Sequence, residues 1–253
     1  MLPFSRRTRL VFVAVTLTAT SALACHFPLA GCGRALGEET LNRLELSMES
    51  TAQMQPGETR QFSLGTVECC YVFETVDACA VWSVEPASGA SIHPASGELT
   101  IDPETPSGSM FSVRANVENG RRIITSDVYV FTPQSNPLVG TWHEDTQFAC
   151  GTTAEIAPQE PIGELVFRAD GSFAVTWMPF EIYHDYWGTY GYDLAQATLD
   201  LSDAEGNYVP PDLDGSGSFS IDEQGRLVLS DLWLGSPREG GGPANCGHRF
   251  TPR

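Results

Sequence analysis

Strict two-residue alternation is the feature that most limits how this chain can fold. Between Ser109 and Val117, the apolar residues Phe111, Val113, Ala115 and Val117 fall on one face while Ser112, Arg114 and Asn116 fall on the other. That is the pattern of a half-buried strand, not of a helix. Asn119-Gly120 follows, a pair that accepts positive φ angles, and beyond it Ile124, Ser126, Val128 and Val130 again share a face. The two runs predict a tight β-hairpin. Further short strands are expected at Leu44 to Met48, Thr59 to Val67, Ala80 to Val84 and Glu98 to Ile101, cut apart by Pro-Gly, Pro-Ala-Ser-Gly and Asp-Pro turns. Short strands at this spacing indicate a β-sandwich.

The composition changes character at Pro133-Gln134-Ser135-Asn136-Pro137, and about eight more strands follow. Leu138 to Phe148 comes first. Leu165 and Phe167 then pair through Ala169-Asp170-Gly171 with Phe173, Val175 and Trp177. Alternation resumes at Trp187 to Tyr192, Ala197 to Leu201, Ser216 to Asp222, Arg226 to Asp231 and Gly247 to Thr251. No segment of helical period competes, and such a set suits a small closed barrel whose interior is filled by side chains or holds one ligand.

Some of these residues resemble known families. Gln55-Pro56-Gly57-Glu58-Thr59, Trp82-Ser83-Val84 and Ala95-Ser96-Gly97-Glu98-Leu99-Thr100, together with the hairpin, resemble the bacterial immunoglobulin-like domains of surface proteins. The resemblance implies a spacer or adhesion module without catalysis, with Trp82 as core anchor. Gly140-Thr141-Trp142 on the first strand of the second set and Arg249 on its last resemble the lipocalin-like barrels. That likeness implies that Trp142 and Arg249 close the barrel floor. The expected fold is therefore all-β, an immunoglobulin-like β-sandwich over residues 43–133, a linker at 134–137, and a small eight-stranded up-and-down, lipocalin-like β-barrel over 138–253.

At the other end, Arg6, Arg7 and Arg9 precede an apolar run from Leu10 to Leu23 and then small residues, which reads as a secretory signal. A true membrane span needs roughly 20 predominantly apolar residues, and His26 and Pro28 interrupt this one. Leu29-Ala30-Gly31-Cys32 resembles the lipobox of bacterial lipoproteins. This implies removal of residues 1–31, acylation of Cys32, and a tether over 32–42. The several acyl chains of such an anchor hold firmly and place the protein in the bacterial cell envelope, at the outer membrane.

The chain carries a formal charge of −18, and all 14 of its basic residues are Arg. Phosphate binding relies on clustered Lys and Arg, so a nucleic-acid partner is excluded. With 42% hydrophobic residues, including 5 Trp, 7 Tyr and 13 Phe, the acidity does not signal disorder. The expected partners are the membrane, through the anchor, and a small apolar or saccharide ligand or an envelope protein. No cofactor is expected.

Seven Cys in an exported chain indicate disulfides. With Cys25 cleaved away and Cys32 acylated, Cys69, Cys70, Cys79, Cys150 and Cys246 remain, an odd number. One of the adjacent Cys69 and Cys70 is expected to bond Cys79, in preference to a zinc site with His93. A second bond follows from the barrel reading: in an up-and-down barrel of even strand number the last strand lies antiparallel to the first. Cys150, just after the Trp142 strand, and Cys246, just before the Arg249 strand, then share one rim.

The ligand-binding candidates are Trp177, Phe180, Tyr183, Tyr186 and Trp187, an aromatic group bracketing one inter-strand loop and suited to stacking on a sugar or lining an apolar pocket. The plainer reading is that these rings fill the barrel. Asp212, Asp214 and Glu223 match the acidic positions of a twelve-residue calcium loop around Gly217. The flanks disagree, because Pro210-Pro211 precludes an entering helix. No catalytic motif is present, although folding could gather His143-Glu144, His184-Asp185 and His248. The sequence thus favours a non-catalytic, lipid-anchored binding protein. A purely structural or adhesive surface module is the first alternative and a hydrolase or metal enzyme the second.

Overall fold

The computed structural model describes residues 35–47, 52–67, 72–151, 154–180, 183–237 and 245–253. The expected signal segment, Cys25, Cys32, Cys69 and Cys70 lie outside the described residues. Beyond a short helix α1 (Glu38–Arg43) and one 3-10 turn at Glu118–Gly120, the described residues are all-β in several sheets.

The first ten strands are β1 (Leu44–Leu46), β2 (Ala52–Met54), β3 (Thr59–Gln61), β4 (Leu64–Val67), β5 (Phe73–Thr75), β6 (Ala80–Glu85), β7 (Ala90–Ile92), β8 (Glu98–Ile101), β9 (Met110–Val117) and β10 (Arg122–Val130). They form a four-stranded sheet, β2-β10-β9-β6, and two three-stranded sheets, β1-β4-β5 and β3-β8-β7. Alternation places Phe111, Val113, Ala115 and Val117 of β9 and Val128 and Val130 of β10 inward. There they meet Leu44, Leu64, Leu99, Ile101 and Trp82 in one core.

The strand expected across Thr59 to Val67 is broken in two. Phe62 turns inward, edge-on to Trp82 with ring centroids 6.3 Å apart, so β3 pairs with β8 while β4 pairs with β1 and β5. Gly97 reaches over the same tryptophan at φ +77°, and a Cβ there would lie 2.7 Å from the ring. Only glycine fits that combination of angle and space. The hairpin between β9 and β10 does use positive φ at Asn119 and Gly120, but Glu118 joins them. The loop therefore spans four residues, with Val117 paired to Arg122.

The remaining strands are β11 (Gly140–Ala149), β12 (Glu155–Ile156), β13 (Glu164–Phe167), β14 (Ser172–Thr176), β15 (Tyr186–Asp193), β16 (Thr198–Gly206), β17 (Ser216–Ile221), β18 (Leu227–Ser230) and β19 (Asn245–Pro252). All belong to one nine-stranded antiparallel sheet. It is nearly closed, because β11 pairs with β13 on one side and with β19 on the other. The strand that sequence did not anticipate is the short β12, which adds to the far end of β11. A second core fills the sheet's inner face, with Phe167, Phe173, Leu199, Leu229 and Phe250 fully buried.

The proline-bounded segment between the two sets of strands is ordered by its own polar groups. Asn136 donates its backbone N–H to Thr132 O at 2.9 Å and its side-chain amide to Tyr190 Oη at 2.9 Å. Tyr192 Oη donates to Ser135 O, and Ala169 N–H donates to Gln53 Oε1 across the two regions.

Candidate functional site

The nine-stranded sheet has two unlike ends. At one, three hairpins are closed by short turns, each clamped by an aspartate. Asp170 Oδ1 accepts from Ser172 N–H, Asp193 Oδ1 from Ala195 and Gln196 N–H, and Asp222 Oδ1 from Gln224 and Arg226 N–H. Such side-chain-to-backbone bonds are why aspartate favours turns. The opposite end gathers the longer connections that follow β11, β14, β16 and β18. Cys150 and Cys246 are joined there in a disulfide, with Cα atoms 4.8 Å apart.

That second end is sealed by the segment after β18, Leu232-Trp233-Leu234. Leu232 and Leu234 are fully buried and Trp233 nearly so. Polar anchors hold the plug. Tyr186 Oη donates to Leu234 O at 2.7 Å, and Asp212 accepts from Trp233 Nε1, Ser236 N–H and Ser236 Oγ. Burial pushes the Asp212 carboxyl upward, but the Ser236 and Trp233 hydrogen bonds outweigh it and hold the group below its ordinary range.

Beneath the plug lies a buried pair. His248 Nδ1 and Glu144 Oε1 are 2.6 Å apart, and both side chains are 0% exposed. Leu234 N–H donates to His248 Nε2 at 3.1 Å, so that nitrogen carries no proton and Nδ1–H donates to Glu144. The second carboxylate oxygen accepts from Ile162 N–H at 2.8 Å. Trp233 stacks on the imidazole at 4.5 Å. Every polar atom of the pair is therefore used, including the nitrogen that a general base would present to a substrate.

Beside the plug opens a pocket of about 960 Å³. Its aromatic lining comes from Trp177, Phe180 and Tyr183 on the β14–β15 connection. Asp185 builds that loop: it accepts from Trp177 N–H at 2.9 Å and from Tyr183 Oη at 3.2 Å, while its own N–H donates to Val175 O. Trp177 is the floor, 9% exposed and packed on Tyr186 and Tyr208. Phe180, 67% exposed, and Met178, 81% exposed, form an apolar lip. The segment ending at Gly163 supplies the opposite wall with Glu160 and Pro161. A Cβ on Gly163 would lie 2.7 Å from Trp177 O and run into Pro179. Burial and the Asp185 charge both push the Tyr183 hydroxyl pKa up.

The structure thus divides the five aromatic candidates. Trp177, Phe180 and Tyr183 line the pocket. Tyr186 does not, being fully buried in the core with its hydroxyl committed to Leu234. Trp187 belongs to the outer face, where its Nε1 donates to Glu205 at 3.1 Å. The strand period places consecutive residues on opposite faces, which separates Tyr186 from Trp187.

The acidic residues of the calcium-loop match are set apart by the fold. Asp212 spends its carboxylate on Trp233 and Ser236, and Asp214 pairs through its backbone with Trp233. Glu223 lies beyond the whole length of β17, in the turn at the opposite end of the sheet. No group of three His, Cys, Asp or Glu able to hold a metal occurs among the described residues.

Trp142 sits in the core with Nε1 donating to Leu138 O. Arg249 is not its cover: it pairs in register with Thr146, four positions along β11, and bonds Asp145, Thr146 and Glu155. Of the histidine and acid groups, the fold unites only Glu144 with His248. His143 is exposed beside Gly163 O, and His184 contacts Thr176 Oγ1. The sequence reading missed Glu160 and Asp185 as pocket groups and the Leu-Trp-Leu plug. The apolar run beside the β18 strand was the available signal for the plug.

No protein-family model and no curated protein matches the chain. Among solved structures, a crystal structure of a protein of unknown function from Bacteroides ovatus is similar at 9% identity and a TM-score of 0.26, over 83% of this chain and 92% of that one.

Proposed function

We propose that this is a lipid-anchored protein of the bacterial cell envelope that binds a small ligand in the pocket formed by Trp177, Phe180 and Tyr183. In this reading an immunoglobulin-like spacer, residues 43–133, carries a lipocalin-like barrel, residues 138–253, and Cys32 bears the anchor. The pocket is the observation that supports binding, since ligand sites are concave, mainly apolar, and fitted with a few polar groups. The signal-like start and the Leu-Ala-Gly-Cys motif support the anchor.

A structural or adhesive module is the second reading, and the buried Phe173, Trp177 and Leu229 favour it for the sheet's interior. Native mass spectrometry of protein purified from its own envelope separates the two. A co-purified small molecule, lost when Phe180 and Tyr183 are both replaced by Ser, is the expected result. A bare mass in both forms refutes binding. Labelling with a clickable fatty acid tests the anchor: label is expected on the wild type and absent from Cys32→Ser.

A further inference from the structure

The way the two sets of strands are joined sets where the pocket points, and the inference rests on the Cys32 anchor and the binding pocket proposed above. The covalent reach from Cys32 to Leu36 is at most about 14 Å. Leu36 is tied to the β9–β10 hairpin: its N–H donates to Glu118 Oε1 at 2.6 Å, its carbonyl accepts from Arg121, and Arg121 pairs with Glu38. Arg122 Nη1 donates to Leu41 O at 2.6 Å, and Leu41 is buried in the core of the first set. The anchored end of the chain is therefore pinned at the hairpin. From there β10 runs away over Arg122–Val130, about 26 Å at roughly 3.3 Å per residue, to the joint with the nine-stranded sheet.

That joint is made at the turn end of the sheet. Asn136, Ser135 and Gln53 meet Tyr190, Tyr192 and the Ala169 N–H there, beside the turn that Asp170 clamps. Among the described residues no strand of β1–β10 packs along a strand of β11–β19, so the second set meets the first by one end and does not lie alongside it. β11 then carries the chain a further strand length, Gly140–Ala149, from the joint to the disulfide and the pocket end. Residues 138–253 also hold 18 Asp and Glu against 5 Arg, a charge that an anionic bilayer repels at close range. We infer that the pocket opens away from the membrane that bears the anchor, separated from the hairpin by the lengths of β10 and β11, and that it takes a water-borne ligand from that far side and not a lipid of the anchoring leaflet.

Full-length lipidated protein reconstituted in vesicles of phosphatidylcholine and phosphatidylglycerol, with an acceptor dye on a trace of lipid headgroups, tests this. A donor dye is placed, through an azide-bearing residue, at Ile123 beside the hairpin or at Met178 on the pocket lip, both exposed positions. Energy transfer to the lipid is expected to be several-fold stronger from Ile123, and acrylamide is expected to quench the Met178 donor equally with and without vesicles. Equal transfer from the two positions in vesicle-bound protein overturns the orientation. Stronger transfer from Met178, with loss of quenching, overturns it too and places the apolar lip in the bilayer. Protein that does not float with the vesicles overturns the anchor and the orientation with it, and the pocket then stands or falls on the mass measurement with the Phe180→Ser/Tyr183→Ser protein.

Discussion

At one end of the nine-stranded sheet each hairpin closes within its own sequence; at the other, closure depends on residues far apart in the chain. The Asp222 clamp reaches only to Gln224 and Arg226. The plug of Leu232 to Leu234 is held by Glu144 through His248, by Tyr186 and by Asp212, and the disulfide beside it spans a separation of 96 residues. A locally made turn needs no distant partner to close it. An end assembled from distant parts can be shaped into a pocket, because its loops need not follow the strand period, and its integrity rests on a few buried anchors.

The sharpest way to break the contrast is to remove one such anchor. His248→Ala leaves the Glu144 carboxylate buried without its donor, which should cost about 3–5 kcal/mol, a large share of the roughly 5–15 kcal/mol that a domain possesses. Urea unfolding measures it. Replacing both residues together, Glu144→Leu with His248→Phe, should recover only the part of the loss due to the unpaired carboxylate, because the buried Ile162 and Leu234 N–H groups then lose their acceptors. A cost below about 1 kcal/mol for His248→Ala would show that the pair does not hold the plug.

The disulfide comes next. Cys150→Ser with Cys246→Ser should lower stability by about 2–4 kcal/mol through the freedom returned to the unfolded chain, with the loop end losing hydrogen-exchange protection first. Equal loss of protection at the Asp170 and Asp222 turns would contradict the division into two ends.

That division also explains what the sequence disclosed. The strands and the Asp170 turn were legible because alternation and turn chemistry act between neighbours. Asp170-Gly171 and the run from Ser216 to Ile221 needed no knowledge of the fold. The split at Phe62 was not legible, since only the Trp82 ring against which it packs breaks the strand. Tyr186 looked like a ligand contact because its neighbours are aromatic. Its burial depends on Leu234, which is 48 residues away. Glu144 and Asp185 carry no local signal, and their roles appear only when His248 and Trp177 are brought to them.

Single aspartate substitutions compare the ends directly. Asp212→Ala removes three hydrogen bonds from the plug, and Asp222→Ala removes a local clamp. At about 1 kcal/mol per hydrogen bond, Asp212→Ala should cost more and should also slow or abolish ligand capture. Asp222→Ala should leave binding intact. The pair Phe180→Ser/Tyr183→Ser should change stability by less than about 0.5 kcal/mol, because both rings are exposed. Tyr186 must be left in place, since its loss would unseat the plug.

The smallest expected effect concerns pH, and it too should belong to the loop end. His184 is half-buried beside Thr176 Oγ1. Burial lowers its pKa below the ordinary 6.5; the positive charge of Arg168 adds to the shift, and Asp185 partly opposes it. The folded protein therefore prefers the neutral imidazole, and the unfolded chain binds more protons as pH falls through 6.5. Stability rises with pH across this window and is lost on acidification. With the ring still in contact with solvent, the change should be well under about 1 kcal/mol. Urea unfolding at about pH 7.5 and about pH 5.5 reads the difference, and His184→Asn should flatten it while Asp222→Ala leaves it in place. If the His184→Asn protein shows the same acid sensitivity as the wild type, the titrating group lies elsewhere, and the neck of the pocket loop is insensitive to protons in this range.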